Sequence, residues 1–391
     1  MENNNKKITE DILNTGAILI KAISAQINSA DFQFPSDTDF NKLAKLAYNH
    51  RVSAVVAESV IKSSLADEKI KNDFKKELFR TSARYSALER ETLEISEEFT
   101  KNAIKHCFLK GVKVCAFHNQ PDTRFMLDMD LYVEPEKFNQ AEAIMLERGY
   151  ECNTFGDDKD TGYTKKPFFN VELHRELKYE YDKGYDYYKG AFERMVSADG
   201  YSMNMTNEDF YVYILSHSAH HFETAGTGIK SVIDHFYLRE KLKPLCDEKL
   251  LADGLEKTGL TLFENRMNEL CDYWFGGAAA DEATMQMAEY ILLSGVFGNE
   301  TNHYLSGILR GEYSQKKSSY FFARLFPPLK TMSFKYNVLK KIPVLLPLFW
   351  VVRLITAIFS ADRIADEAKG VSTVNEDDHL KQKSFLEKMG L

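Results

Sequence analysis

The sequence has few of the residues that build disulfide-stabilised or zinc-bound proteins. Its five cysteines are an odd number, and they are scattered without a C-x-x-C pair. That pattern is typical of reduced thiols in a cytosolic protein, and it indicates neither a disulfide framework nor a zinc knuckle. The first residues also lack the apolar run of a secretory signal peptide. We therefore expect a cytoplasmic protein.

Positive charge is also scarce, because 58 Asp and Glu against 50 Lys and Arg give a formal net charge of −8. A general nucleic-acid binder usually carries a basic face, so this balance argues against that class without excluding a local basic pocket. A hydrophobic content of 44% is ordinary for a globular chain, and 391 residues allow two or three domains.

Residues 1–104 show helical periodicity and no motif that indicates chemistry. Apolar residues recur at helical spacing after Thr9, again from Phe40 to Val52, and onward to Val60. Residues 70–105 predict one long, charged, amphipathic helix. We interpret this part as a helical N-terminal region.

The composition changes at residue 105, where a short apolar run ends in Gly111 and predicts a buried strand that enters a tight turn. Residues 112–117 fit either a helix or a strand. A strand from about Leu127 to Val133 follows, with Asp128 and Asp130 on one face and apolar side chains on the other. Two carboxylates about 7 Å apart on one strand face can share divalent cations such as Mg²⁺.

The residues after this strand complete a small α/β pattern. They predict a helix from Pro135 to Arg148, a strand at residues 150–153 and a polar loop at residues 157–162. Residues 168–175 then alternate, so that Glu172 and His174 share the polar face of an otherwise apolar strand. If this strand pairs beside the Asp-x-Asp strand, three carboxylates converge. We expect an α+β fold, with a small mixed sheet at residues 105–200 between helical N-terminal and C-terminal regions.

The remaining chain predicts helices, divided into an acceptor-side domain at residues 201–315 and a C-terminal segment at 316–391. The helix after Thr206 carries His217, His220 and His221, but no H-E-x-x-H motif or cysteine pair supports a zinc site. These histidines fit a core, an interface or a substrate-facing wall. Residues 343–359 form an apolar run of only 17 residues after a Lys-rich stretch, so a packed helix and a membrane-surface segment across 330–359 both stay open.

Several motifs together resemble the uncharacterised nucleotidyltransferase family of the DNA polymerase β-like nucleotidyltransferase superfamily. The central block at residues 109–174 is the most specific part, and upstream and downstream motifs extend the likeness over nearly the whole chain. The matching motifs are Leu109-Lys110-Gly111, Arg124, Asp128-Met-Asp130, Gly149-Tyr150, Val171-Glu172-Leu-His174, His50-Arg51-Val52 and Trp274-Phe-Gly276.

The resemblance implies a two-metal transfer of a nucleoside monophosphate from a nucleoside triphosphate (NTP) to an acceptor hydroxyl. It implies that Asp128, Asp130 and Glu172 hold Mg²⁺ or Mn²⁺, and that Glu172 helps to deprotonate the acceptor. Gly111 would stand at the glycine turn that approaches the triphosphate. The candidates for the acceptor side are His174, His217, His221 and Asp234.

One departure concerns the residue after the glycine, because Val112 stands where the superfamily usually has Ser or Gly. Binding of the triphosphate is then expected to depend on the positive charges of Lys110 and Arg124. The acceptor is expected to be a small molecule, a sugar or a protein rather than RNA, given the acidic charge. Two other interpretations stay open, a glycosyltransferase that uses Asp-x-Asp to hold a nucleotide sugar, and a non-catalytic nucleotide-binding or scaffold protein on this fold.

Overall fold

The computed structural model describes residues 2–153, 159–178, 183–296, 298–311, 317–336, 338–358, 371, 374–375 and 377–391. The N-terminal part is helical, as predicted. Its helices are α1 (Glu2–Ile27), α2 (Phe40–Asn49), α3 (Ser53–Lys62) and α4 (Glu68–Lys101). Two of them begin at an aspartate N-cap, where the Asp39 side chain accepts from the amides of Asn41 and Lys42, and Asp67 accepts from Ile70.

A seven-stranded mixed sheet follows in the middle of the chain. Its strands are β1 (His106–Phe108), β2 (Met129–Val133), β3 (Glu151–Cys152), β4 (Asp160–Lys165), β5 (Phe169–His174), β6 (Val196–Asp199) and β7 (Ser202–Asn204). Between them lie α5 (Val112–Cys115), α6 (Phe138–Glu147) and α7 (Tyr185–Tyr188). The strand order is β3-β4-β5-β2-β1-β7-β6; β2 runs parallel to β5 and β1 to β7, and the other pairs are antiparallel. The predicted α+β class is confirmed.

Two local predictions are corrected by this topology. Of the predicted polar loop at 157–162, residues 157 and 158 lie outside the described residues, and residues 160–162 begin β4. The strand was hidden by its polar composition, yet Thr161 and Tyr163 are buried, so side chains alternate inward as a strand requires. The predicted helix from Pro135 begins with a 3-10 turn at Pro135–Lys137 before α6.

The C-terminal part is again helical. Its helices are α8 (Asn207–Thr224), α9 (Ile229–Lys241), α10 (Glu248–Thr258), α11 (Thr261–Phe275), α12 (Glu282–Ser294), α13 (Glu300–Leu309), α14 (Lys317–Leu325), α15 (Leu329–Lys335), α16 (Val338–Lys341), α17 (Leu346–Ile358) and α18 (Asp378–Met389). Helix α1 packs on α11 and α12, so Leu19, Met267 and Ile291 share one hydrophobic core. The division into four sequence regions stays a prediction. In the part of the chain that the structure describes, no helix combines the length and the apolar character that a membrane crossing requires.

The two faces of the sheet have different neighbours. On one face, Leu131 and Val171 pack on Leu88 and Ile95 of α4, and α6 covers the rest of that face. On the other face, Tyr132 joins the large core that contains residues of α8. The polar side chains of β2 and β5 therefore lie between the sheet and the helices that follow it.

A buried carboxylate fastens α4 to the outer strands. One oxygen of Glu91, Oε1, accepts hydrogen bonds from Arg148 Nη2 at 3.0 Å, Tyr150 Oη at 3.0 Å and Lys165 Nζ at 2.6 Å. Although burial alone would raise the pKa of Glu91, Lys165 and Arg148 hold that pKa below its usual value. The three contacts connect α4, the end of α6 and β4.

We expect Glu91→Gln to lower the free energy of unfolding by about 3 kcal/mol, because the half-buried Lys165 loses its counter-charge and Arg148 keeps only the exposed Glu94. Urea denaturation at pH 7 measures this. Because the folded-state pKa is lowered, the stabilisation is present at neutral pH and is lost as the pH falls below about 4. Glu94→Gln is the matched control, since Glu94 also binds Arg148, at 3.1 Å, but its side chain is 50% exposed. Equal losses for the two variants would contradict the assignment.

Candidate active site

The pairing of β2 with β5 brings the predicted carboxylates together. In this parallel register Asp130 lies opposite Glu172, and Tyr132 lies opposite His174. The apolar residues Met129, Leu131 and Val171 point to the other face. Asp128 directly precedes β2. The strand pairing thus brings together two of the three expected carboxylates, Asp130 and Glu172, with His174, whereas the convergence of Asp128 with them stays a prediction.

Asp130 is the centre of the cluster, and its side chain is only 1% exposed. Its Oδ1 lies 2.7 Å from Lys110 Nζ and 3.3 Å from His174 Nε2. Its Oδ2 has no hydrogen-bond partner among the described residues. His174 Nε2 is also 3.7 Å from Glu172 Oε2.

The electrostatic environment shifts the pKa values of the three acids in different directions. Although burial alone would raise the pKa of Asp130, Lys110 and then His174 hold that pKa well below its usual range. Burial and the adjacent Asp130 charge raise the pKa of Asp128, and Lys110 and Lys230 partly offset that rise. Burial and then Asp130 also raise the pKa of Glu172. Crowded carboxylates of this kind favour the binding of a cation.

The donor atoms fit a divalent cation. Asp130, Glu172 and His174 each offer one ligand atom, and these atoms lie within 4.8 Å of one another. The unpartnered Asp130 Oδ2 is a buried acceptor that a cation would satisfy. Carboxylate oxygens suit Mg²⁺ and Mn²⁺. Asp128 is not part of this group of three ligand atoms. It could contribute to a metal site only as a further ligand next to Asp130.

The glycine turn after β1 holds Lys110 at the cluster. Gly111 has φ 64° and ψ −116°, a conformation that side chains disfavour. A Cβ at this position would lie 3.4 Å from the Asp128 carbonyl oxygen and 3.6 Å from Met126 Sδ. The Leu109 amide donates to the Asp130 carbonyl at 2.9 Å. Backbone geometry thus places the turn beside both aspartates.

We expect Gly111→Ala to lower the free energy of unfolding by about 1–3 kcal/mol, because alanine is strained at positive φ. The turn would relax and shift Lys110 relative to Asp130, so metal-dependent NTP binding should weaken as well. Thermal unfolding and calorimetric titration measure the two effects. Gly149→Ala is the control, because Gly149 also has positive φ (81°) but directly follows Arg148, the C-cap of α6. It should cost stability without changing NTP affinity, and a loss of affinity in both variants would contradict the special role of the Gly111 turn.

Arg124 and Asp234 form a second buried cluster. Arg124 Nε and Nη2 donate to the two oxygens of Asp234 at 2.7 Å and 2.8 Å. His118 Nε2 lies 2.9 Å and Lys230 Nζ 3.2 Å from the same carboxylate. The guanidinium is therefore engaged by protein, and the predicted role of Arg124 in phosphate binding stays a prediction.

Lys230 is a cation that the sequence analysis missed. It is 21% exposed and pairs with Asp234, and its charge partly offsets the rise in the pKa of Asp128. Two cations, Arg124 and Lys230, face one carboxylate there, which leaves positive charge beside Asp128. The spacing of four residues from Lys230 to Asp234 on α9 is the signal that could have indicated the pair.

Helix α8 presents two of the predicted acceptor-side histidines to Lys110. His217 Nε2 lies 3.3 Å from Lys110 Nζ and 3.0 Å from His221 Nε2. Burial and then the Lys110 charge lower the pKa of His217 well below its ordinary value. Although His221 lies at the exposed rim, the surrounding protein and then Lys110 lower its pKa to about 4. Both rings are neutral at pH 7, and within the described ranges neither belongs to a three-ligand cluster.

His50 positions the helix that carries Lys230. Its ring is buried, and Nδ1 accepts from the Ile229 amide at 3.1 Å, while Nε2 lies 3.2 Å from the Leu292 carbonyl oxygen. Nδ1 must be the unprotonated nitrogen, so the ring is neutral, and burial lowers its pKa to about 4. The N-terminal helices therefore fix the start of α9, immediately before Lys230.

Comparison with known protein families agrees with this geometry. The model of the uncharacterised nucleotidyltransferase family matches residues 36–276, more than half of the chain. The chain belongs to this family. The match extends from before α2 to the end of α11, so it includes the sheet, Lys110, the three carboxylates and α9. Comparisons with curated proteins and with solved structures gave no match.

Membership in the nucleotidyltransferase family gives the carboxylate cluster a chemical context. Nucleotidyl transfer moves a phosphoryl centre between two oxygens, which requires neutralisation of phosphate charge and activation of a hydroxyl. The cluster at β2 and β5 offers ligands for a cation that would neutralise phosphate charge, and titratable groups that could accept the proton of a hydroxyl.

Proposed function

We propose that this protein transfers a nucleoside monophosphate from an NTP to an acceptor hydroxyl and releases pyrophosphate. The observation that carries the proposal is the register of β2 and β5, which sets Asp130 opposite Glu172. The Oδ2 atom of Asp130 is buried and has no hydrogen-bond partner among the described residues. The family match supports the same reaction class.

The roles of the three acids follow from the resemblance and are supported by the group of Asp130, Glu172 and His174. Asp128, Asp130 and Glu172 would hold Mg²⁺ or Mn²⁺, with His174 beside them. Bound Mg²⁺ or Mn²⁺ would supply charge neutralisation at the phosphates and activation of the attacking hydroxyl. The Glu172 side chain is 47% exposed, so its carboxylate could reach the acceptor hydroxyl and take its proton at the open edge of the cluster.

Two lysines near the carboxylate cluster, Lys110 and Lys230, would bind the phosphates of the NTP. Lys110 would contact a phosphate oxygen, since its ammonium lies on a flexible stem at the cluster, 2.7 Å from Asp130 Oδ1 and 3.3 Å from His217 Nε2. Lys230 adds positive charge beside Asp128. The neutral rings of His217 and His221 form a wall across from the sheet, on the side proposed for the acceptor.

The test is a transfer assay with two labels. The purified protein is incubated with Mg²⁺, acceptor pools from a cell extract and each NTP, labelled at either the α- or the γ-phosphate. Nucleotidyl transfer places the α-label in a product and releases the γ-label as pyrophosphate. Product that carries the γ-label would indicate a kinase, and transfer only from nucleotide sugars would indicate a glycosyltransferase. Either result would contradict the proposal.

A further inference from the structure

The C-terminal segment differs in charge from the rest of the chain. Residues 313–361 contain eight Lys and Arg and no Asp or Glu, within a chain whose formal net charge is −8. Such a concentration of positive charge attracts a negatively charged surface, and it repels a second copy of the same segment.

Helix α17, within this segment, exposes a continuous aliphatic face. Leu348, Val351, Val352 and Ile355 are 56%, 51%, 37% and 55% exposed, and their spacing of three and four residues places them on one side of the helix. Val344, one turn earlier, is 79% exposed. Four neighbouring aliphatic side chains in water form a patch of the kind that marks an interaction surface.

The opposite face of α17 is fixed to the protein. Trp350 Nε1 donates to the Pro327 carbonyl oxygen at 2.8 Å, and Arg353 Nη2 donates to the Arg324 carbonyl oxygen at 3.1 Å. The ring of Phe349 packs on Tyr336 at a centroid distance of 4.6 Å. These contacts hold the polar groups of the helix inward, so the aliphatic face is directed outward by packing.

We propose that α17 and its basic flank bind the surface of an anionic lipid bilayer. At 13 residues α17 is about 20 Å long, too short to cross a hydrocarbon core of about 30 Å, but suited to lie in the interface. Its aliphatic face would enter the acyl boundary, and the positive charge that the sequence concentrates at residues 330–341, the basic flank, would attract the anionic headgroups. RNA could bind the positively charged residues, but it would leave the aliphatic face of α17 in water. A bilayer accounts for both features, so we infer a bilayer as the partner.

The test is vesicle co-sedimentation of the full chain at two salt concentrations. Vesicles of phosphatidylcholine alone are compared with vesicles that also contain phosphatidylglycerol. We expect binding to the anionic vesicles that weakens in high salt, and at least about a tenfold loss of binding for Val351→Asp/Ile355→Asp. The matched control is Phe79→Asp/Leu93→Asp, because those two side chains on α4 are also exposed (75% and 61%). It should bind like the wild type.

A second pair of double variants tests the contribution of the positive charge next to α17. This test remains valid even if Val351→Asp/Ile355→Asp fails to fold. Lys340→Glu/Lys341→Glu should reduce binding at low salt, whereas Lys75→Glu/Lys76→Glu on α4 should not. The proposal is overturned if the wild type ignores anionic vesicles or if both members of a matched pair lose binding equally. It is also overturned if binding to RNA replaces binding to vesicles, or if Val351→Asp/Ile355→Asp only separates a dimer. Vesicle binding requires no nucleotide, so its failure would leave the proposed transfer reaction standing.

Discussion

Asp128→Asn is expected to reduce nucleotidyl transfer by at least about a thousandfold while leaving the fold intact. Loss of metal-based charge stabilisation is worth several kcal/mol in the transition state, and each 1.36 kcal/mol is a factor of ten in rate. In the absence of metal, the Asp128→Asn variant should be no less stable than the wild type. Burial and the Asp130 charge raise the pKa of Asp128, so its removal relieves repulsion in the folded state.

Asp130→Asn should abolish transfer as well, but with the opposite effect on stability. Its carboxylate is the ion-pair partner of Lys110 at 2.7 Å, and both side chains are largely buried. Removal of the charge leaves Lys110 unpaired, at a cost of about 3–5 kcal/mol. We therefore expect both variants to be inactive, but only Asp130→Asn to have a lowered midpoint of thermal unfolding. This result would show that the loss of activity does not follow from a loss of stability.

Asp160→Asn is the control for both aspartates. Its carboxylate lies 3.7 Å from His174 Nδ1, but it pairs with Lys159 at 3.0 Å on β4. Activity should stay within a few-fold of wild type, since this acid is not among the assigned ligands. Full transfer activity in Asp128→Asn, or equal inactivity in Asp160→Asn, would contradict the assignment of the metal ligands.

Arg124→Met is expected to lower the free energy of unfolding by about 3–5 kcal/mol, because the buried Asp234 loses a bidentate partner. Urea denaturation measures the loss. Arg80→Met is the control, since Arg80 also bonds a carboxylate, Glu77 at 2.8 Å, but its side chain is 70% exposed. That exposed pair should contribute less than about 1 kcal/mol.

The double variant Arg124→Met/Asp234→Leu separates structure from phosphate binding. Replacing both charges by apolar groups should recover part of the lost stability, but not all of it, because Lys230 and His118 lose Asp234 as a partner too. If Arg124 only positions α9 and Lys230, transfer activity should return with stability. If the refolded double variant stays inactive with a raised KM for NTP, Arg124 contacts the nucleotide, as the resemblance implied. A double variant no more stable than Arg124→Met would contradict the ion-pair account.

The local features of the site could be predicted because they depend on neighbouring residues in the sequence. Alternation with period two placed Asp130 and Glu172 on polar faces, and burial of the apolar faces then set the register that joins them. Gly111 was predictable as a turn since only glycine adopts its φ readily.

The remaining features depend on contacts between distant residues. Arg124 meets Asp234 across 110 residues, and His50 caps α9 across 179 residues. No periodicity encodes such pairs, which is why Arg124 was assigned to phosphate and His50 to no site. The start of β4 was missed because a glycine and two polar residues conceal its alternation, which becomes evident only when β5 lies beside it.

The measurement that tests nucleotide binding at the carboxylate cluster most directly is calorimetric titration of each NTP, with Mg²⁺ and with a chelator. The wild type and Asp160→Asn should bind an NTP only when Mg²⁺ is present, and Asp128→Asn should not bind it. Absence of binding for all NTPs, or equal binding by Asp128→Asn, would contradict a metal-dependent nucleotide site at β2 and β5.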